Sequence, residues 1–306
     1  MARLIRPLGH LAVVAIGVVT LVFGALRLSG DPALVIAPPH ATEEDLAAVR
    51  REFGLDRPVG VQYLAFLAGL ARGDLGDSLR YRRPALEIVV ERLGATMQLA
   101  LAAQLLAIAV AVPCGVVTAI RRDRWLDSAL TMVATVGQSI PYFWLGLMVM
   151  VLFGVQLQWL PTSGRGTWAH LVLPAVTLSS YSMASLTRLV RSAAIEVLGA
   201  DYIRTATAKG LGGATVLFKH ALRNALIPVV TLVGLQLGAL LSGAVVVETV
   251  FAWPGIGRLT VEAIHTRDYP IVQSGVLLMA LLFVVANQAV DMAYQWLDPR
   301  LRPGRR

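Results

Sequence analysis

Residues 188–224 read RLVRSAAIEVLGADYIRTATAKGLGGATVLFKHALRN. The stretch is basic, broken by glycines, and set between two long apolar runs. It carries Arg204, Lys209, Lys219 and Arg223, a charge load that bars it from crossing a bilayer. Asp201 has N-cap chemistry, and Ile203, Ala206 and Gly210 fall on one side of the helix it starts. Gly210 suits the left-handed residue that follows a helix end. Leu211-Gly212-Gly213 makes a flexible corner, and a second helix runs on toward Asn224 with Val216, Leu217 and His220 on one face. The spacing predicts two short helices joined at a glycine corner. A knob of docking size, with no larger domain on its side, marks a chain moved by a partner.

The rest of the composition agrees. The 306 residues are 56% hydrophobic and 15% charged, with mean hydropathy +0.67. Soluble domains carry about 25% charged residues, so this is the composition of an integral membrane protein. The single Cys114 lies in an apolar run, which rules out an internal disulfide. Six windows free of Asp, Glu, Lys and Arg are long enough to span: 7–26, 93–120, 128–164, 166–187, 224–247 and 269–290. The third ends in a polar tail, Gln156 to Gly164, with Trp159 as an interface anchor, so it reads as one span and a short loop. The fold expected is all-α and membrane-embedded, a single 1–306 domain. Its spans lie near 8–27, 95–120, 129–155, 169–188, 226–248 and 270–296, with an external loop at 28–94 and the knob at 190–224.

Orientation follows from Arg and Lys. With the N-terminus inside, the inner segments hold Arg3 and Arg6; Arg121, Arg122 and Arg124; Arg188, Arg191, Arg204, Lys209, Lys219 and Arg223; and Arg300, Arg302, Arg305 and Arg306. The short outer loops hold only Arg165, Arg258 and Arg267. Fifteen against three places both termini in the cytoplasm and accounts for the net charge of +8 without nucleic acid. The apolar run after Arg6 outlasts a signal-peptide core and lacks an A-x-A site, so it is expected to stay.

In the 28–94 loop, Thr42 followed by Glu43-Glu44-Asp45 predicts a capped helix that Gly54 closes. Pro58 opens a second helix with Val61, Leu64, Leu67 and Ala68 on one face, lying on the membrane surface or packed on the bundle. Gly73-Asp74-Leu75-Gly76-Asp77-Ser78 reads as a turn and lacks the remainder of a calcium loop. Pro113 and Pro141 fall within spans, where Gln138 and Ser139 are placed to satisfy carbonyls freed at Pro141. Gly234, Gly238 and Ser242 recur every four residues, a face for close helix packing or for lining a pore.

Catalytic chemistry is not legible. No G-x-x-x-x-G-K-[ST] loop occurs, so the chain is not expected to hydrolyse ATP. Glu262-Ala-Ile-His265 is a lone E-x-x-H pair, too little for a metal site. Within the spans, Gln98, Gln104, Gln138, Gln236, Asn287 and Gln288 either line a path for a polar solute or bond between helices. Gln98, Gln138, Gln236 and Asn287 are the path candidates. Glu248 and Asp291 sit near span ends, as interfacial carboxylates reaching water or as a gate; Glu248 is the external gate candidate. The lack of an intramembrane charge chain speaks against a proton- or sodium-driven carrier.

At the knob the chain resembles the permease subunit of binding-protein-dependent ABC importers, in the dipeptide/oligopeptide/nickel branch. The general signature is E-A-A-x3-G-x9-I-x-L-P. Arg204, Thr205 and Ala206 stand where Glu-Ala-Ala would be, Gly210 takes the Gly position, and His220, Leu222 and Arg223 stand for Ile, Leu and Pro. Only Ala206, Gly210 and Leu222 match the general form. The stretches 201–206 and 220–228 are similar to the form typical of the branch. So are Gly30-Asp31-Pro32, Gly54-Leu55-Asp56-Arg57-Pro58, Gly73-Asp74-Leu75-Gly76, 139–146, 248–255, Asp268-Tyr269-Pro270 and Asp298-Pro299-Arg300. The resemblance implies a B-type permease in a bacterial inner membrane. It implies a second, different permease, two ATPase subunits that use ATP and Mg, and an external solute-binding protein, with no cofactor or metal on this chain. It also implies that Asp201, Arg204, Thr205, Ala206, Gly210, His220, Leu222 and Arg223 couple to the ATPases. Peptides and nickel or metal chelates are the rival cargoes. A stand-alone secondary carrier or membrane enzyme is the more distant alternative, and would need an internal repeat, buried charges or a catalytic cluster.

Overall fold

The computed structural model describes residues 2–28, 33–36, 40–52 and 54–297, with side chains for 14–28, 33–34, 40–51 and 54–290. Gly30-Asp31-Pro32, Asp298-Pro299-Arg300, Arg302, Arg305, Arg306 and the side chains of Arg3, Arg6 and Asp291 lie outside the described residues. In chain order the helices are α1 (Ala2–Leu28), α2 (Ala33–Ile36), α3 (Glu43–Glu52), α4 (Val59–Ala71), α5 (Ala85–Ile120), α6 (Trp125–Ser139) and α7 (Tyr142–Val149). They continue as α8 (Ala169–Leu198), α9 (Asp201–Ala208), α10 (Gly213–Thr215), α11 (Leu222–Ala225), α12 (Ile227–Val250), α13 (Ile256–His265) and α14 (Tyr269–Leu297). Met150–Gln156 and Val216–Ala221 are π-helical turns. No strand occurs among the described residues.

Ala85–Ile120, Ile227–Val250 and Tyr269–Val290 are each long and apolar enough to cross a membrane. Trp125–Ser139 and Tyr142–Gln156 qualify together as a fourth, but they meet at 110°. The span expected over 129–155 is broken at this point. Pro141 forces the residue before it out of helical geometry, and Ile140 is extended at φ −84°, ψ 125°. Gln138 bonds elsewhere, and Ser139 Oγ donates to the Thr135 carbonyl at 3.0 Å. Pro113 and Pro174, by contrast, stay inside α5 and α8. Both of those helices outrun their apolar windows, because a helix can continue into water on charged turns: Glu87, Glu91 and Arg92 in α5, and Arg191 and Glu196 in α8.

The chain forms two compact units. Residues 1–96 and 254–284 make the first. Thr42 and Asp45 cap α3 reciprocally, Thr42 N–H donating to Asp45 Oδ2 at 2.9 Å and Asp45 N–H to Thr42 Oγ1 at 3.3 Å. On α4 the half-buried side is Tyr63, Phe66, Leu67 and Leu70, while Val61, Leu64 and Ala68 of the expected face are exposed. The 73–78 turn is pinned by Asp268, 1% exposed, whose carboxylate accepts from Ser78 Oγ at 2.5 Å and from the N–H groups of Leu79 and Arg80 at 3.3 and 3.2 Å. Two motifs 190 residues apart are thus one structure. The core beneath is Ala85, Ile88, Val89, Ile256, Leu259, Tyr269, Ile271 and Val272.

Residues 97–253 and 285–306 make the second unit. Its core packs Ala107, Ala111 and Val116 of α5 against Leu186 and Val190 of α8 and Val229 of α12. Gly234 is a close approach: a Cβ there would overlap the side chain of Val290. Gly238 is buried, but Ser242 is exposed and Gly243 and Ala244 take its place. The every-four pattern drifts because eight residues at 3.6 per turn overrun two turns by about 80°.

Candidate functional site

The knob of the second unit is built on a small apolar core. Ile203 and Ala206 of α9 meet Val216 and Ala221 of the following turn, with Val197 and Leu198 from the end of α8 alongside. The helix α9 starts one residue earlier than its cap chemistry suggests. Ala200 is the N-cap (φ −71°, ψ 148°), and Asp201 is the first helical residue, an acid against the positive end of the helix. At the other end Gly210 has φ +80°. Its N–H donates to the Thr207 carbonyl at 2.9 Å and that of Leu211 to the Ala206 carbonyl at 3.4 Å, the paired bonds of a Schellman stop. Asn224 Nδ2 donates to Tyr202 Oη at 2.9 Å and fastens α9 to α11.

This arrangement sorts the expected residues. Asp201, Arg204, Thr205, Gly210 and Arg223 are exposed, His220 and Leu222 are half-buried, and Ala206 is buried. Arg204 lies 3.5 Å from Asp201, an exposed pair worth little. The outward side also carries Tyr202, Leu211 and Phe218, each at least two-fifths exposed. Apolar tips and basic groups thus share the outward side of the knob.

One contact was missed in the sequence. Arg191 of α8 donates through Nε and Nη2 to both oxygens of Asp127 in the first turn of α6, at 2.7 Å each. Asp127 also accepts from the Asp123 N–H at 3.1 Å. Its side chain is 6% exposed and that of Arg191 29%. The guanidinium, by hydrogen bonding foremost, lowers the Asp127 pKa to about 2. The two-pronged pair fixes the α6 start to the helix that leads into the knob. The only signal in the sequence was an acid in a loop of arginines, and nothing in periodicity links residues 64 apart.

The path candidates fall into different settings. Gln236 and Gln104 both meet Ser182: its Oγ donates to Gln236 Oε1 and lies 3.4 Å from Gln104 Oε1. The three tie α12, α5 and α8 together in the core, and Gln104 Nε2 is buried with no partner among the described residues. Gln138 Nε2 donates to Ser185 Oγ at 3.1 Å. Gln98 accepts from Arg165 Nε and Nη2 at 3.1 and 2.7 Å, while that guanidinium stacks on Trp253 at 5.6 Å. Asn287 is half-buried. Glu248 is wholly buried, so the reading as an interfacial carboxylate reaching water is corrected. A carboxylate so placed must be paired or protonated. The described residues hold no cluster of His, Cys, Asp and Glu fit for a metal ion.

Residues 111–303 match the model of the binding-protein-dependent transport system inner membrane component family, and residues 1–100 match that of the N-terminal part of the same membrane components. The chain belongs to this family. The dipeptide transport system permease protein of Alkalihalophilus pseudofirmus is 41% identical to this permease, over 99% of both chains. The glutathione transport system permease protein of Salmonella choleraesuis is 41% identical over 97% of both, and the dipeptide permease of Escherichia coli 39% over 98% of both. Among solved structures, the inward-facing MetNI methionine ABC transporter resembles the permease with a TM-score of 0.55 at 18% identity. That likeness covers 69% of this chain and 96% of the other, and it is one of fold.

Proposed function

We propose that this permease supplies half of the translocation path of an ATP-driven peptide importer in a bacterial inner membrane. The observation that carries the reading is 41% identity, over 99% of both lengths, to a dipeptide transport permease. The knob on α9–α11 adds a route for force: a small core, a firm glycine stop and an exposed basic-apolar outer face. In this reading two cytoplasmic ATPases close on ATP and Mg and push the knob. The Asp127–Arg191 pair carries that displacement to α6, and a second, different permease completes the path. An external solute-binding protein delivers the peptide. The spans lie within α1, α5, the bent α6–α7 pair, α8, α12 and α14, and Gln98, Gln138, Gln236 and Asn287 are the polar groups offered to the path, with Glu248 behind the external mouth.

The test is transport in proteoliposomes with subunits omitted one at a time. This chain alone is expected neither to hydrolyse ATP nor to move solute. ATP turnover should require both permeases and the ATPases, and efficient import the binding protein as well. Peptide uptake by this chain alone on a proton or sodium gradient would replace the importer reading with a carrier.

Orientation has its own measurement. Reporters fused within 28–94, 160–166 and 252–268 are expected outside, and those at 121–127, 205–220 and 300–306 inside. A cytoplasmic signal from residue 80 would reverse the assignment.

A further inference from the structure

Arg165 carries an exposed guanidinium that the fold holds still. The segment leading into α8 is tied down at several points, all within the second unit. Thr162 packs on Gly154 so closely that a Cβ there would overlap it. Gly164, at φ +86°, donates its N–H to the Phe251 carbonyl at 2.9 Å. The Arg165 guanidinium lies over the ring of Trp253, 5.6 Å from the centroid, and that ring is buried at 1% exposure. Its Nε and Nη2 both donate to Gln98 Oε1, at 3.1 and 2.7 Å. A long side chain on a loop ordinarily loses rotamer freedom when it binds a ligand; here folding has already removed that freedom.

What the guanidinium leaves open decides its ligand. The Nε–Nη2 edge is taken by Gln98, while the Nη1–Nη2 edge has no acceptor and the group no acidic partner among the described residues. That open edge presents the two parallel N–H groups that match the two oxygens of a carboxylate. The same bonds fix which end of the Gln98 amide is oxygen. Gln98 Nε2 is then a second donor without an acceptor among the described residues. Arg165 and Gln98 are both exposed, so a ligand can reach them. A surface that only donates takes a group that only accepts. The uncovered side of α5 that Gln98 begins runs on through Leu101 and Leu105, both exposed, three and seven residues along and so on one face. An accepting anion joined to an apolar body is the chemistry of a peptide's C-terminal residue.

We infer that Arg165 and Gln98 recognise the C-terminal carboxylate of the peptide cargo: the carboxylate on the Nη1–Nη2 edge, a peptide carbonyl on Gln98 Nε2. The terminal carboxylate is common to linear peptides, so the contact selects the class and not the sequence. The inference rests on the peptide-importer reading and names a specificity-determining pair within it.

The test is photolabelling of the assembled permeases and ATPases in nanodiscs, without binding protein, by alanyl-photoleucine and by its C-terminal amide. Leaving out the binding protein removes its own preference between the two probes. The free acid is expected to label the neighbourhood of residues 98 and 165 about tenfold more than the amide, the difference that one charge-assisted contact makes. Arg165→Gln should bring the two probes level. Arg165→Lys should keep part of the preference, because an ammonium retains the charge without the two parallel bonds. Equal labelling of the native complex by acid and amide overturns the inference, and that comparison needs no variant to fold. A raised KM for loaded binding protein in Arg165→Gln, with the labelling preference intact, also overturns it and assigns the guanidinium to an acid of the binding protein. Dipeptide import by the native complex, with binding protein restored, keeps the two readings apart. Import with equal labelling removes only the carboxylate contact, and absence of import removes the peptide-importer reading and the contact with it.

Discussion

Replacing Arg191 with alanine is expected to destabilise the permease by about 1–3 kcal/mol and to uncouple ATP turnover from import. The substitution leaves the Asp127 carboxylate, 6% exposed, without its guanidinium. The cost falls below the 3–5 kcal/mol of a deeply buried pair because Arg191 keeps 29% of its side chain in water. Arg191→Lys should recover only part of the loss, since an ammonium cannot make the two parallel bonds at 2.7 Å. The double change Asp127→Asn, Arg191→Gln removes both charges and should be milder than Arg191→Ala alone. A pH series supplies an independent check. The folded carboxyl titrates at about 2, below its ordinary 3.8. A depressed pKa in the folded state means that the pair's contribution is fully present above pH about 4 and is lost as pH falls through about 2. Thermal unfolding of the detergent-solubilised complex reads both effects. Wild-type stability and coupling in Arg191→Ala would remove the pair from the force route.

Gly210→Val is expected to abolish coupled transport while the chain still inserts. No atom lies within 4 Å of where a Cβ at Gly210 would stand, so the effect is not steric crowding. It comes from the backbone. A β-branched residue at φ +80° is strained by about 1–3 kcal/mol, enough to unwind the stop at Thr207 and Ala206 and shift α9 against its small core. Asn tolerates this region far better, so Gly210→Asn should keep most of the activity. ATPase stimulation by the loaded binding protein is the readout. Equal activity of the Val and Asn variants would show that the corner bears no load.

The knob was legible because its logic is local. Four charges in a stretch between apolar runs bar a span, and the left-handed turn at Gly210 can be read from one residue type in its context. The helix α3 was legible for the same reason, as Thr42 and Asp45 cap each other three residues apart. What escaped was long-range. Composition places Asp127 and Arg191 near one surface, but only folding brings their atoms to 2.7 Å. The 110° break at Ile140–Pro141 was hidden by hydropathy, which scores a bent pair like a straight span. Which side of α4 packs on α1 was not legible, because a helix apolar nearly all round has no unique inner side. For Gln104, Gln138 and Gln236 residue type left path and packing open, and their partners proved to be serines of α8.

The Asp268 carboxylate has a bearing on how the permease is made. Its three donors lie in residues 78–80, 188 to 190 positions earlier in the chain. At synthesis rates of about 5–20 residues per second, those donors wait roughly 10–40 s before their acceptor leaves the ribosome. During that interval Ser78 Oγ and the N–H groups of Leu79 and Arg80 lack their acceptor, and the loop is held by its local bonds alone. A nascent chain paused before residue 268 therefore presents an unfinished segment to proteases. Cleavage near residue 80 should be confined to young chains, a timing signature of assembly from the two ends of one polypeptide.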